Sequence, residues 1–306
     1  MNRTKINLQM FATSNQDLAA RRYEKQFKEM LQAVFKAQAA FAPFFGNEIE
    51  ALDGIQHKDT AFSVKTSNIP LVLKNAYNNS PSTAFGSGTG NSTRFGERTE
   101  IIYTDTDVPY TWHWSWHEGI DRHTVNNTLD AALADRLELQ AQAKVRRFNE
   151  RHGTFIYNYA DKYENLATYT EAEILAMFDK MSSYYANLEV VNKVRVYVAP
   201  DLFNAIVNIP ILSTAKNSAV SIDNNTIENF KGFTITRVPK QYFYRGDYAA
   251  YFTVDGIGKA FTGIETARTL ESEDFDGIAF QGAGKAGEFG LDDNKRAVVA
   301  VYYSGV

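Results

Sequence analysis

FSVKTSNIPLVL, Phe62 to Leu73, and RTEIIYTDTDVPY, Arg98 to Tyr110, flank NAYNNSPSTAFGSGTGNSTRFGE, Asn75 to Glu97. Both flanks are rich in β-branched and aromatic residues and read as strands. The stretch between them is longer than the roughly 12–15 residues that a structureless loop reaches inside a compact domain. The combination predicts a long hairpin arm, its tip at Gly86, Gly88 and Gly90. That tip is too polar to fold on itself, yet Phe85 and Phe95 sit in it with Arg94 and Arg98 alongside. Aromatic and Arg side chains are the types enriched where interfaces concentrate their binding energy. These four are therefore candidate inter-subunit contacts, and the arm is expected to order across a neighbouring subunit.

Beyond the hairpin, WHWSWH alternates with period two, which places Trp112, Trp114 and Trp116 on one strand face and His113 and His117 on the other. Asn127 and Asp130 then cap a helix whose stripe is Leu129, Leu133, Leu137, Ala141, Val145 and Phe148, ending at His152–Gly153. Such a helix is about 36 Å long and spans a domain as a strut. Thr170 with Glu173 forms a capping box for a further helix carrying Ile174, Phe178, Met181 and Tyr185. VRVYV (Val194 to Val198) reads as a buried strand, Ala199 to Asn208 as a short helix, and GFTITRVP and YAAYFTV as strands. The end is β-rich: GIAF, GKAGEFGL, a DDNK turn and AVVAVYY. The class is α+β with mostly antiparallel pairing, and 306 residues favour two lobes plus extensions.

Upstream of the hairpin, an N-cap at Ser14 and an apolar series through Leu18, Phe27, Leu31, Val34, Phe35 and Phe41 predict an amphipathic helix closed by Pro43. With no local partner, it must dock elsewhere. Seven basic residues against three acids give Met1 to Ala42 a charge of +4, leaving −8 for the remainder. Arg3, Lys5, Arg21 and Arg22 are the candidates for facing an anionic partner.

Several functions are excluded or disfavoured. The chain contains no Cys, so it has no disulfide scaffold, thiolate metal site or cysteine nucleophile, and it suits a reducing compartment. No apolar run approaches the roughly 20 residues of a membrane helix, and the opening lacks the features of a signal peptide. Gly282 to Gly287 matches G-x-G-x-x-G, but a strand and turn follow where a dinucleotide site needs a helix. A glycine-rich strand in close backbone approach is the better account. HEGID has Asp121 where a zinc protease needs its second His; His113, His117 and His123 therefore read as strand and turn residues. No G-x-S-x-G elbow is present. The sequence points to no catalytic residue, cofactor or metal.

The order of basic helical arm, long hairpin, strut helix, α/β lobe and terminal strands resembles the major capsid proteins of tailed bacteriophages with the Hong Kong 97 (Johnson) fold. INLQMFA, Ile6 to Ala12, is similar to the LNLQFFA-type opening of structural proteins from phages of Gram-positive hosts. The resemblance implies an N-terminal arm over residues 1–55 and an extended hairpin, the E-loop, over 56–111. It implies a peripheral domain with a spine helix over 112–168, an axial domain over 169–245, and terminal strands over 246–306 completing both. It further implies a virion shell of hexamers and pentamers, assembled in the host cytoplasm. The basic arm would face packaged double-stranded DNA or scaffold, with portal and scaffolding proteins as partners and no membrane. Some relatives are welded by an isopeptide bond from an E-loop Lys. Here no Lys occurs from Asn75 through Ala143, so cross-linking is not expected. Only some fifty residues precede the first strand, so a separate scaffolding protein is. An encapsulin-type nanocompartment shell is the nearest alternative, and a soluble metal-dependent hydrolase the rival of another class.

Overall fold

The structure is a computed structural model that describes residues 39–52, 60–67, 77, 91–92, 96–97, 99–125, 128–209, 220–221, 226–263 and 266–305. The expected N-terminal helix up to residue 38 and Gly86, Gly88 and Gly90 of the hairpin tip lie outside the described residues, as does the outer half of the first hairpin strand. The tip does pair with itself at one point, Asn91–Ser92 antiparallel to Gly96–Glu97, against the expectation that it is too polar to do so.

Apart from two short ribbons, Asn91–Ser92 with Gly96–Glu97 and Val220–Ser221 with Thr226–Ile227, the strands are β1 (Ile49–Ala51), β2 (Thr60–Ser67), β3 (Tyr103–Pro109), β4 (Trp112–Asp121), β5 (Lys162–Leu166), β6 (Val194–Val198), β7 (Asn229–Phe230), β8 (Phe233–Arg237), β9 (Tyr248–Val254), β10 (Gly258–Thr262), β11 (Thr266–Glu271), β12 (Gly277–Gly290) and β13 (Val299–Tyr303). The helices are α1 (Leu129–Tyr159), α2 (Glu171–Asn187) and α3 (Pro200–Val207). One sheet runs β7-β8-β6-β9-β13-β5; a second runs β1-β10-β12-β11, with β4 on the other edge of β12; β2 and β3 form a separate ribbon. Among these pairs only β1 with β10, β6 with β8 and β5 with β13 are parallel, which agrees with the expected α+β class.

The six-stranded sheet is apolar on both faces, and this explains why VRVYV is hydrophobic at every position but Arg195, whose guanidinium pairs with Asp255. Val194, Val196 and Val198 join Ala250, Phe252, Val254, Val299 and Val301 in a buried layer with Ile174, Phe178 and Met181 of α2 and Leu202 and Ile206 of α3. Tyr197, Tyr251 and Ala300 point the opposite way, into a second layer with Ile156 and Tyr159 of α1 and with Phe41, Phe44 and Phe45. Pro43 does not close a helix at Phe41 but lies within a 3-10 turn, Ala42–Phe45. The Phe44 N–H donates to the Tyr197 hydroxyl at 3.0 Å, which pins this turn to the sheet. α2 starts at the expected Thr170, but the threonine hydroxyl makes no cap bond to the helix.

The strut helix departs from its sequence reading in three ways. Its N-cap is Thr128, and it runs 31 residues, about 46 Å, straight through Gly153. Glycine stands there because a Cβ would lie 1.8 Å from the Tyr242 carbonyl oxygen, not because the helix ends. The apolar stripe is buried only in its second half: Phe148 is 5% exposed but Leu137 is 41% exposed. Phe148→Ala should therefore cost roughly 3–5 kcal/mol, whereas Leu137→Ala should cost well under that range. Thermal melting of the two variants checks the contrast, and equal losses would place Leu137 in a core.

Candidate assembly surface

β2 and β3 pair antiparallel, Phe62 opposite Val108 and Ser67 opposite Tyr103, so the predicted hairpin has its base. The inner end is anchored: the Phe62 ring lies 5.1 Å from that of Phe261 and 5.9 Å from that of Phe289, and Val108 is buried. Outward, the ribbon loses its cover. Ile101 and Ile102, just before β3, and Tyr103, its first residue, are 44%, 54% and 68% exposed beside a two-stranded element that is marginal in water alone. An open cleft of about 400 Å³ separates the ribbon from the turn after β12 and is lined by Thr66, Thr106, Phe289, Leu291, Asp292 and Asp293.

β4 shows why the tryptophans and glycines of this sequence occur together. Trp116 lies opposite Gly282 and Trp114 opposite Gly284 in the β4–β12 ladder. A Cβ on either glycine would come within 2.2 Å of the facing indole. The close approach expected at Gly282 to Gly287 is thus made at these positions by indole rings rather than by backbone. Trp114 and Trp116 wall an open groove of about 390 Å³ with Leu137, Ala141 and Lys144 of α1, and the Lys144 ammonium sits 5.0 Å from the Trp114 ring. At the end of this wall Arg136 donates to Glu118 at 2.7 Å and Gln140 donates to its other oxygen. The Arg136 hydrogen bond, against a desolvation cost, holds the Glu118 carboxyl below the usual range.

Under the ribbon's root lies a buried polar knot that the sequence did not announce. Trp112 Nε1 and Thr111 Oγ1 each donate to Glu288 at 3.0 Å. His152 Nε2 lies 3.9 Å from the same carboxylate, its ring 4.2 Å from that of Phe45. Burial pushes the Glu288 carboxyl up, opposed by those two hydrogen bonds and by Arg151. Burial also pushes His152 down to about 3, from an ordinary value of 6.5. A depressed imidazole contributes stability that is lost as pH falls, between about 6.5 and 3. A raised carboxyl contributes stability present below its unfolded value and lost as pH rises through its folded one. His152→Phe should thus flatten the acid limb of the stability profile, and Glu288→Gln should steepen it. Denaturant midpoints measured across that range check both signs; unchanged limbs would show that neither group titrates differently on folding.

The histidines do not converge. His113 is exposed on β4, His117 faces Gln281 at 3.1 Å, and His123 lies 3.4 Å from Asp276. Among the described residues no group of three His, Asp or Glu side chains is arranged to hold a metal. Phe85, Arg94, Phe95, Arg98, Arg3, Lys5, Arg21 and Arg22 all lie outside the described residues.

No family model matches the chain, and no curated protein matches it by sequence. Solved structures do. The capsid structure of cyanophage P-SCSP1u superposes with a TM-score of 0.64 at 11% identity, over 89% of this chain and 90% of that one. The mature capsid of bacteriophage PhiM1 gives 0.63 at 9% identity, over 83% and 85%. The chain has the tailed-phage capsid fold. A structure from Mycobacterium phage Che8 gives 0.60 at 16% identity, over 87% and 92%. At such identities the likeness resides in backbone topology, as the element order of the sequence implied. The β2–β3 ribbon and α1 stand where the sequence led one to expect a hairpin and a strut helix.

Proposed function

We propose that this chain is the major subunit of an icosahedral phage head, a structural protein without enzymatic activity that forms hexamers and pentamers around double-stranded DNA. The observation that carries the reading is the ribbon with Ile101 and Tyr103 exposed beside its outer end, on a chain whose fold is that of phage capsids. A shell needs extended elements that bury surface on neighbours while tolerating several curvatures. In this reading 56–111 is the extended hairpin, 112–168 the peripheral domain, 169–245 the axial domain and 246–306 the strands completing both. Phe85, Arg94, Phe95 and Arg98 contact the adjacent subunit. The basic arm over 1–55 faces inward, where Arg3, Lys5, Arg21 and Arg22 meet scaffold and then packaged DNA through salt-sensitive phosphate contacts. A scaffolding protein and a portal complete the assembly, in the host cytoplasm. Negative-stain imaging of the expressed chain, with its scaffold supplied, tests the proposal. Closed shells or tubes are expected; a monodisperse monomer under all assembly conditions would overturn it.

A further inference from the structure

The described chain begins on the side of α1. The Ala40 N–H donates at 2.9 Å to Asn149 Oδ1, and Asn149 is 1% exposed. Two turns earlier on the same helix face, about 10 Å away, Gln142 is 8% exposed and its side-chain nitrogen finds no acceptor among the described residues. A buried amide left without a partner carries a desolvation cost that an adjoining segment would remove. Asp135, Glu138, Gln142, Val145 and Asn149 follow one another at spacings of three and four, so they form a single stripe along α1. Phe27, Leu31, Val34 and Gln38 have the same spacing in the segment that leads into Ala40.

We propose that residues 24–38 of the same chain lie along this stripe, parallel to α1. Gln38 then sits beside Asn149, Val34 beside Val145, Leu31 beside Gln142 and Phe27 beside Glu138. Register follows from the Ala40–Asn149 bond, which fixes where the segment arrives, and direction from Gln142, whose buried amide waits two turns toward the start of α1. On a helical segment Arg22, Lys25, Lys28 and Lys36 fall on the side away from the stripe or at its margins, so docking covers the apolar residues and leaves a basic face outward. The stripe is a cis dock for the arm, and the inference does not depend on the shell reading.

The chain contains no Cys, so a single engineered pair reports cleanly. Val34→Cys with Val145→Cys, treated as the unassembled full-length subunit with a short homobifunctional maleimide, should give an intramolecular link between the two positions. Dimers linked through them would assign the stripe to a second copy's arm, and the absence of any link would leave it without the arm; either overturns the proposal. A second measurement avoids cysteines: trypsin should cut at Lys28 and Lys36 roughly tenfold faster or more in Val34→Asp than in the unaltered chain. Equal cleavage rates would also overturn it.

Discussion

Gly153→Ala is expected to destabilise the subunit by roughly 3 kcal/mol or more. In an exposed helix interior the same change would stabilise by about 1 kcal/mol, since alanine restricts the unfolded chain and favours the helix. Here the sign is reversed by one contact, because the new Cβ would lie 1.8 Å from the Tyr242 carbonyl oxygen. That obstacle is backbone, in a 3-10 turn of Lys240–Tyr242 whose Tyr242 is itself buried, so no side chain can swing aside. Relief requires α1 to lift from the turn, which would open the layer of Phe41, Tyr197, Phe243 and Tyr251 behind it. Calorimetry should show a lower Tm, and Gly153→Val a lower one still. A raised Tm for the alanine variant would show that helix and turn are not in contact.

That glycine marks where sequence reading stops being sufficient. A Gly after a periodic apolar stripe carries the same local signal whether the helix ends or something approaches it from outside. The approaching atom belongs to Tyr242, far along the chain, and no window of sequence contains both. The stripe itself misled for a related reason. Periodicity shows that Leu133, Leu137 and Phe148 share a face, but not how far the neighbouring strand extends beneath it. Cover is complete at Phe148 and lapses at Leu137. Where the pattern is its own explanation, the reading held. VRVYV is buried on both faces, and WHWSWH puts its indoles inward and its His113 and His117 outward. The Glu288–His152 knot joins a terminal strand to the strut helix, and only their packing makes an acid and an imidazole into one buried site. Its traces in sequence are a lone Glu in a glycine-rich strand and a lone His.

Deleting Ser80 to Asn91 should leave a folded, soluble subunit that forms no closed shells. The first half of that statement rests on where the ribbon is held. Phe62 packs on Phe261 and Phe289, and Val108 is buried at the same end, so the ribbon's attachment to the body lies outside the deleted segment. The second half rests on what the outer ribbon lacks. Ile101 and Tyr103 are 44% and 68% exposed, and two strands alone are marginal in water. If a neighbour supplies the cover, each hairpin contributes one modest contact, and a closed shell multiplies it by the number of subunits. Removing the hairpin's end then abolishes assembly while barely changing the melting of the monomer. Sedimentation and negative-stain imaging of the deletion, beside calorimetry of the isolated subunit, separate the two effects. Normal particles would remove the hairpin from assembly altogether. An unfolded subunit would mean that the deleted segment packs on its own body instead.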